Sequence, residues 1–274
     1  MEMPMEVFDF MTLLNSGRLK NTPVAAAVGV FDLAHLGHRR IFETLNEYKS
    51  NHPGVKTMVI TFNKNPKGSV SLDTLRLREK YLSSFQINSF AVIDFSDEFG
   101  KLSASEFIQM LLGLCDLKAL AVGEDFHCGR KSASSSAFEL DGICRENGKN
   151  VDVMIVKPVL DAEGVRISST LIRECIQQGR VELVPRFTLR PYQVDLATIP
   201  SIPSSSVLRY SKKDVMQLLP PPGTYDGAMV FADEKTLSCS VRIDGEGMEL
   251  ELLNLSLLPD SKPDILNLYC RSQK

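Results

Sequence analysis

Apolar runs alternate with helix-spaced patterns from the N-terminal region to about residue 184. The run "PVAAAVGVF" (23–31) predicts a buried strand, and "RRIFETLNEYKS" (39–50) a helix. "VKTMVITF" (55–62) predicts a second strand, "LDTLRLREKYLSSFQ" (72–86) a helix, and "SFAVIDF" (89–95) a third strand. In "SASEFIQMLLGL" (103–114), Ser103 is followed three residues later by Glu106, the signature of a capping box ahead of an apolar helix face. "LKALAVG" (117–123) and "VDVMIV" (151–156) predict a fourth and a fifth strand, with a helix between them at "AFELDGICREN" (137–147). "SSTLIRECIQQG" (168–179) predicts a last helix, closed by Gly179.

Continuous apolar strands alternating with helices predict an α/β domain over residues 1–184, its parallel sheet covered on both faces. Ligands of such sheets bind beyond the carboxyl ends of the strands. The pattern changes near Pro185. "RPYQVDLATIPSIPSSSVLRYSKK" (190–213) is rich in Pro and Ser, and short strand-like runs with Gly turns follow it, which predicts a small β domain over 185–274. There is no internal repeat, and the only low-complexity tract, "SASSS" (132–136), is expected to be a loop.

Composition narrows the function classes. With 43% hydrophobic and 24% charged residues, the 274-residue chain reads as a soluble globular protein. Its net charge of −3 and the lack of a Lys/Arg block argue against a nucleic-acid partner. No run of about 18 apolar residues predicts a membrane span. The N-terminal "MEMPMEVFDFMTLLNSGRLK" is acidic early and does not read as a signal peptide. Six scattered cysteines with no C-x-x-C predict reduced thiols in a cytoplasmic protein. No obligate protein partner is signalled.

Candidate chemistry centres on "VGVFDLAHLGHRR" (28–40), which holds two of the four histidines of the chain, His35 and His38. A zinc site is disfavoured, because Gly37 lies between them and no third ligand cluster is evident. Two readings stay open: an ordinary strand-to-helix turn, or an anion site. The stretch lies at the carboxyl end of the first predicted strand, Gly37 would let a backbone N–H approach a phosphate, and the helix start adds donors. A second phosphate signal is "RISSTLIR" (166–173): Ser168, Ser169 and Thr170 open a helix, and Arg173 lies one turn in.

These motifs resemble those of the HxGH nucleotidyltransferases, and more closely the bacterial bifunctional riboflavin kinase/FAD synthetases. The first motif is carried by Gly29, Phe31, Asp32, His35, Gly37 and His38; "VGEDF" (122–126), "RISSTLIR" and "LRPY" (189–192) also match. The resemblance implies a Rossmann-like nucleotidyltransferase domain followed by a truncated β-barrel-like, kinase-related domain. It implies transfer of AMP from ATP to FMN, giving FAD and pyrophosphate, with Mg²⁺ carried mainly by the nucleotide. It assigns His38 to the α-phosphate and His35 to the phosphates. Ser168, Ser169, Thr170 and Arg173 take the β/γ-phosphates, and Gly29 gives the nucleotide room. Phe62, Asn65, Asp125 and Phe126 are candidates for the flavin side, with a core role as the alternative for Phe62. Asp32 is expected to fix the loop, and His52 and His127 to be incidental.

The chain departs from the family pattern in places. Leu33 stands where the family has Gly, Asn65 where it has His, and Cys128 where it has Phe. In the second domain "SIPSSSV" (201–207) stands where the kinase module carries its metal- and phosphate-holding Thr and Asn, with Ser204 and Ser206 in their places. The segment before it is too short for that module's glycine-containing phosphate loop, so loss of riboflavin kinase activity is expected. The alternatives are a retained kinase, another adenylyl- or cytidylyltransferase, or a non-catalytic flavin- or nucleotide-binding relic.

Overall fold

The computed structural model describes residues 4–272 except 67, 97, 205, 206 and 253–260, with the backbone alone at 203 and 204. The chain packs as two compact units, Met1–Ser69 with Arg78–Gly164 and Val70–Leu77 with Val165–Lys274. This division falls at Val165, ahead of the change in composition near Pro185. The reason is local: the helix after Val165 and the turn that ends it pack in the second unit, where a Cβ on Gly179 would come within 3.2 Å of the Tyr225 hydroxyl.

The first unit is built on β1 (Glu6–Asp9), β2 (Pro23–Val28), β3 (Lys56–Phe62), β4 (Ser89–Ile93) and β5 (Asp116–Gly123), followed by a two-residue pair, β6 (His127–Cys128) and β7 (Ser135–Ser136), and by β8 (Asp152–Val156). Six of these form a parallel sheet in the order β1-β4-β3-β2-β5-β8. The five apolar runs became β2, β3, β4, β5 and β8. The sixth strand, β1, is a mostly exposed edge paired only to β4, so burial imposes no apolar pattern on it. Helices α1 (Phe10–Ser16), α2 (Leu36–Asn51), α3 (Leu75–Leu82), α4 (Ala104–Leu114) and α5 (Leu140–Glu146) connect the strands. Phe107, Ile108 and Leu111 of α4 share one core with Val24, Ala26 and Val28 of β2.

Local chemistry explains the helix starts. The predicted capping box forms at α4: Glu106 N donates to Ser103 Oγ at 3.2 Å, and Ser103 N donates to Glu106 Oε2 at 2.7 Å. The "SASSS" tract is not a plain loop. It holds a 3-10 turn at Lys131–Ala133 and then β7, and Ser136 makes a second capping box with Glu139. The run after β5 therefore doubles back as a small hairpin, β6 against β7.

The second unit carries α6 (Ser169–Gln177) and α7 (Val184–Thr188), then β9 (Tyr192–Asp195), β10 (Ile202–Ser204), β11 (Val207–Ser211), β12 (Gly223–Phe231), β13 (Thr236–Ile243), β14 (Gly247–Leu252) and β15 (Pro263–Arg271). The strands form one antiparallel sheet, order β10-β11-β14-β13-β12-β15-β9. Burial alternates along β13, as expected where one face meets the core. The register between β12 and β15 slips at Asp226/Gly227 and again at Val230/Phe231. At Gly227 a side chain would lie 2.8 Å from both the Asn267 carbonyl and Val241, so glycine permits the close approach. Such irregularities increase local twist, in keeping with a half-barrel rather than a flat sheet. Among the described residues no helix is long and apolar enough to cross a membrane.

Candidate active site

In the first unit, β2 sits at the switch point of the sheet: the chain runs outward through β3 and β4, then crosses to β5 on the other side. The carboxyl ends of β2 and β5 flank the crevice where sheets of this kind bind ligands. The histidine stretch follows β2, and Asp125 and Phe126 follow β5.

The helix after β2 begins at Leu36, three residues before the expected Arg39, because His35 caps it. His35 Nδ1 accepts the Gly37 N–H at 3.1 Å. The Gly37 N–H is thus engaged by the His35 ring within the loop. An accepting Nδ1 places the His35 proton on Nε2. The His38 ring stacks on that of His35, centroids 3.7 Å apart at 21°, and takes Phe31 edge-on at 5.2 Å. His38 is half-buried as a whole, but its Nδ1 is enclosed and has no hydrogen-bond partner among the described residues. A buried N–H without an acceptor is rarer than an unsatisfied acceptor, which favours a proton on Nε2 here too. Burial first, then the neighbouring His35 and the Arg78 charge, hold His38 well below the usual histidine range. His38 is therefore a neutral imidazole near pH 7, able to donate one hydrogen bond.

The backbone between β2 and α2 is unusual. Phe31 and Leu33 both have φ of +49°, in the left-handed region that costs a residue with a side chain about 1–2 kcal/mol. Leu33 holds this conformation because its side chain is fully buried, and that burial offsets the strain. The Phe31 ring covers Gly29, where a Cβ would come within 2.9 Å of it. Gly29 is thus needed by the chain's own aromatic packing.

Asp32 is buried beside a partner that the sequence did not single out. Arg78 and Asp32 are each only 2% exposed, with Nη2 to Oδ1 at 3.7 Å. Arg78 Nη1 also donates to the carbonyls of Val30 and Phe62, both at 3.0 Å. An apolar stripe on α3 was legible, but a lone Arg on a helix gives no local sign that it turns inward.

Phe62, at the end of β3, meets Phe95 and Phe99 edge-on. It is partly buried against the core, so it is a packing residue with one part left accessible. Asn65 donates to Ser69 Oγ at 2.7 Å. Asp125 is exposed, and its carbonyl meets His127 Nδ1 at 2.9 Å. Phe126 packs partly against the core. His52 stacks on Tyr48, outside this group.

The second phosphate motif lies in the second unit. Ser168 caps α6, its Oγ accepting the Leu171 N–H at 3.2 Å. Ser169 and Thr170 form the first turn, with Thr170 exposed. Arg173, one turn in, donates to the Val70 carbonyl at 2.5 Å, so its guanidinium is already oriented. Of the stretch aligned with the kinase motif, residues 205 and 206 and the side chain of Ser204 lie outside the described residues.

The chain is 30% identical over 185 residues to a bifunctional riboflavin kinase/FMN adenylyltransferase of Buchnera aphidicola subsp. Schizaphis graminum, covering 64% of this chain and 57% of that one. It is 25% identical over 221 residues to the protein of the same description from Escherichia coli K12, covering 77% and 69%. The match thus spans little more than half of the Buchnera protein. In fold, the chain superposes on a structure described as a macrolide-efflux protein from Streptococcus pneumoniae, with a TM-score of 0.79 at 20% identity over 99% of this chain and 91% of that one. Residues 18–171, more than half of the chain, with the whole of the histidine loop and five of the six strands of its sheet, match the family described as FAD synthetase. The paired histidines at the switch point of a parallel sheet, the serine-capped helix and this match make the chain a member of the FAD synthetase family.

Proposed function

We propose that this protein is an FMN adenylyltransferase that does not phosphorylate riboflavin. An FMN phosphate oxygen attacks the α-phosphorus of ATP, the bond to the β-phosphate bridging oxygen breaks, and FAD and pyrophosphate are formed. FMN phosphate is ionised near neutral pH, so the step needs positioning and charge stabilisation rather than a strong base. The single observation that carries the reading is His38, stacked on His35 with its pKa held well down by burial, at the strand end where sheets of this kind bind ligands; as a neutral imidazole it can donate through Nε2. Such a donor acts on charge that develops at the α-phosphate.

In this reading His35 holds the phosphates, and Gly29, Phe31 and Gly37 shape the loop on which the nucleotide lies. Ser168, Ser169, Thr170 and Arg173 take the β- and γ-phosphates. Phe62, Asn65, Asp125 and Phe126 serve the flavin side. Mg²⁺ arrives on ATP as part of the substrate. Residues 1–184 would be the adenylyltransferase and 185–274 the degenerate kinase-like domain. A reducing, cytoplasmic setting suits a protein with five buried free thiols.

The relatives are described as bifunctional, and loss of the kinase reaction rests on the turn after β9. There Leu196 N–H goes to the Asp264 carbonyl at 3.0 Å, Ala197 N–H to Asp195 Oδ1 at 3.2 Å and Ile199 N–H to the Leu196 carbonyl at 3.3 Å. The carbonyls of Ala197 and Ile199 face Lys262 Nζ. A phosphate cradle needs converging N–H groups, and here those of Leu196, Ala197 and Ile199 are taken by the chain's own acceptors, one of them a carboxylate.

The test is pyrophosphate release with ATP, Mg²⁺ and FMN, pantetheine phosphate or nicotinamide mononucleotide, then riboflavin, with products separated by chromatography. FAD from FMN alone is expected. Release only with another acceptor overturns the substrate, and FMN formed from riboflavin at an enzymatic rate overturns the loss of the kinase.

A further inference from the structure

We propose that Arg78 is the positioning residue of the histidine loop: one buried guanidinium fixes the backbone of Val30–Asp32 against the end of β3 and so sets Phe31 against His38. The inference rests on the adenylyltransferase reading for its kinetic consequence but not for its geometry.

Three observations carry it. Arg78 Nη1 donates to the Val30 and Phe62 carbonyls at 3.0 Å, and Thr61 Oγ1 donates to the same Val30 carbonyl at 2.8 Å. The loop's end and the end of β3 are thereby tied through one cation. Its Nη2 lies 3.7 Å from the Asp32 carboxylate, and both groups are buried. A buried guanidinium is costly unless its charge and donors are met; here the Asp32 carboxylate lies beside the charge and the Val30 and Phe62 carbonyls accept from Nη1.

The tied segment is also one that would not hold itself. Phe31 and Leu33 flank Asp32, each with φ of +49°. A loop with two such residues has lower-energy backbone states within reach, and only external contacts keep it in this one. Phe31 is the link to the chemistry. Its ring covers Gly29 on one side and meets the edge of the His38 ring on the other. If the loop relaxes, Phe31 moves and the His35–His38 stack loses its backing. Displacement of a catalytic donor by about 1 Å can cost on the order of 10²-fold in rate. Lysine is not equivalent to arginine here, because it has no second nitrogen to lie beside Asp32 while the first holds the two carbonyls.

The experiment uses the full chain with Arg78→Lys and, as a milder change, Asp32→Asn. Three quantities are read: kcat for FAD formation, MgATP affinity by calorimetry, and the through-space NMR contact between the Phe31 and His38 rings. A chain with four histidines makes the His38 signal assignable. We expect Arg78→Lys to lose on the order of 10²-fold in kcat, to keep MgATP affinity close to the unaltered protein, and to lose the ring contact. Asp32→Asn should shift all three in the same sense by less. A near-normal kcat with the ring contact intact in Arg78→Lys overturns the proposal. So does a loss of activity that follows only the unfolded fraction in a melting experiment. If Arg78→Lys does not fold, Asp32→Asn decides by the same criteria. If the unaltered protein makes no FAD, the functional reading fails, while the ring contact still tests the positioning.

Discussion

Two side chains that look alike in the sequence hold different positions. His35 is a helix cap whose Nδ1 accepts from Gly37, and His38 stacks on it with its own Nδ1 enclosed and without a hydrogen-bond partner among the described residues. His38→Ala should lower FAD formation by a factor on the order of 10² or more, the usual cost of one transition-state donor. ATP affinity should change much less. Near-normal turnover in steady-state assays would remove His38 from the mechanism. The same side chain makes stability depend on pH. Its folded pKa lies below the ordinary value near 6.5, so just below that pH the unfolded chain binds a proton that the folded one does not. Its contribution is fully present above about pH 6.5 and is lost as pH falls from there toward the folded value. Denaturant midpoints between about pH 8 and pH 5 should fall more steeply for the unaltered protein than for His38→Gln. Equal slopes would mean that His38 titrates normally.

At the scale of elements, the hairpin after β5 shows how a departure from the family pattern is absorbed. Gly129, in the stretch that carries Cys128, has φ of +88°, and a Cβ there would lie 2.4 Å from Ala104 N and 2.5 Å from the Ala133 carbonyl. The hairpin is seated on the start of α4, with Arg130 N–H on the Leu102 carbonyl at 2.7 Å. Gly129→Ala should therefore cost at least about 3 kcal/mol, since backbone must move. Gly148→Ala, with φ of +69° and open space around it, should cost about 1 kcal/mol. Chemical denaturation of the two variants checks this, and similar losses would place the hairpin away from α4.

At the scale of the molecule, the second unit takes in a segment from far up the chain. Val70–Leu77 is held there by polar groups: Arg76 on Asp195 and Asp264, Thr74 on Asp195, Asp73 on Arg190, and Gln217 on the Leu72 carbonyl. Burial pushes Asp195 up, but the Arg76 fork and the Thr74 hydroxyl outweigh it and leave its pKa below the usual value. The contribution of Asp195 is thus present above about pH 3.9 and lost as pH falls through the lower folded value. Arg76→Ala should destabilise the protein by about 2 kcal/mol. That is less than the 3–5 kcal/mol of a fully enclosed pair, because Arg76 is 35% exposed. Thermal melts read the loss, and an unchanged melting temperature would mean that the network does not hold the segment.

The sequence by itself determined what depends on neighbours along the chain. Five apolar runs became five strands because a parallel strand buried on both faces must be apolar throughout. Ser103 and Glu106 fixed the start of α4, and Ser168 that of α6, because a cap acts within three residues. The histidines, the serine-opened helix and Arg173 were legible as candidate anion-binding groups, since donor type and spacing are written locally. Only the tertiary structure decided the rest. It added β1, whose exposed edge carries no pattern, and made the "SASSS" tract a hairpin. It assigned Val70–Leu77 to the second unit through partners more than a hundred residues away, such as Asp195 and Arg190. It spent the Gly37 N–H on His35, and it turned Arg78 inward to meet Asp32 and the Val30 carbonyl. Those outcomes turn on which polar group finds which partner in a closed interior, and that pairing exists only once the chain has folded.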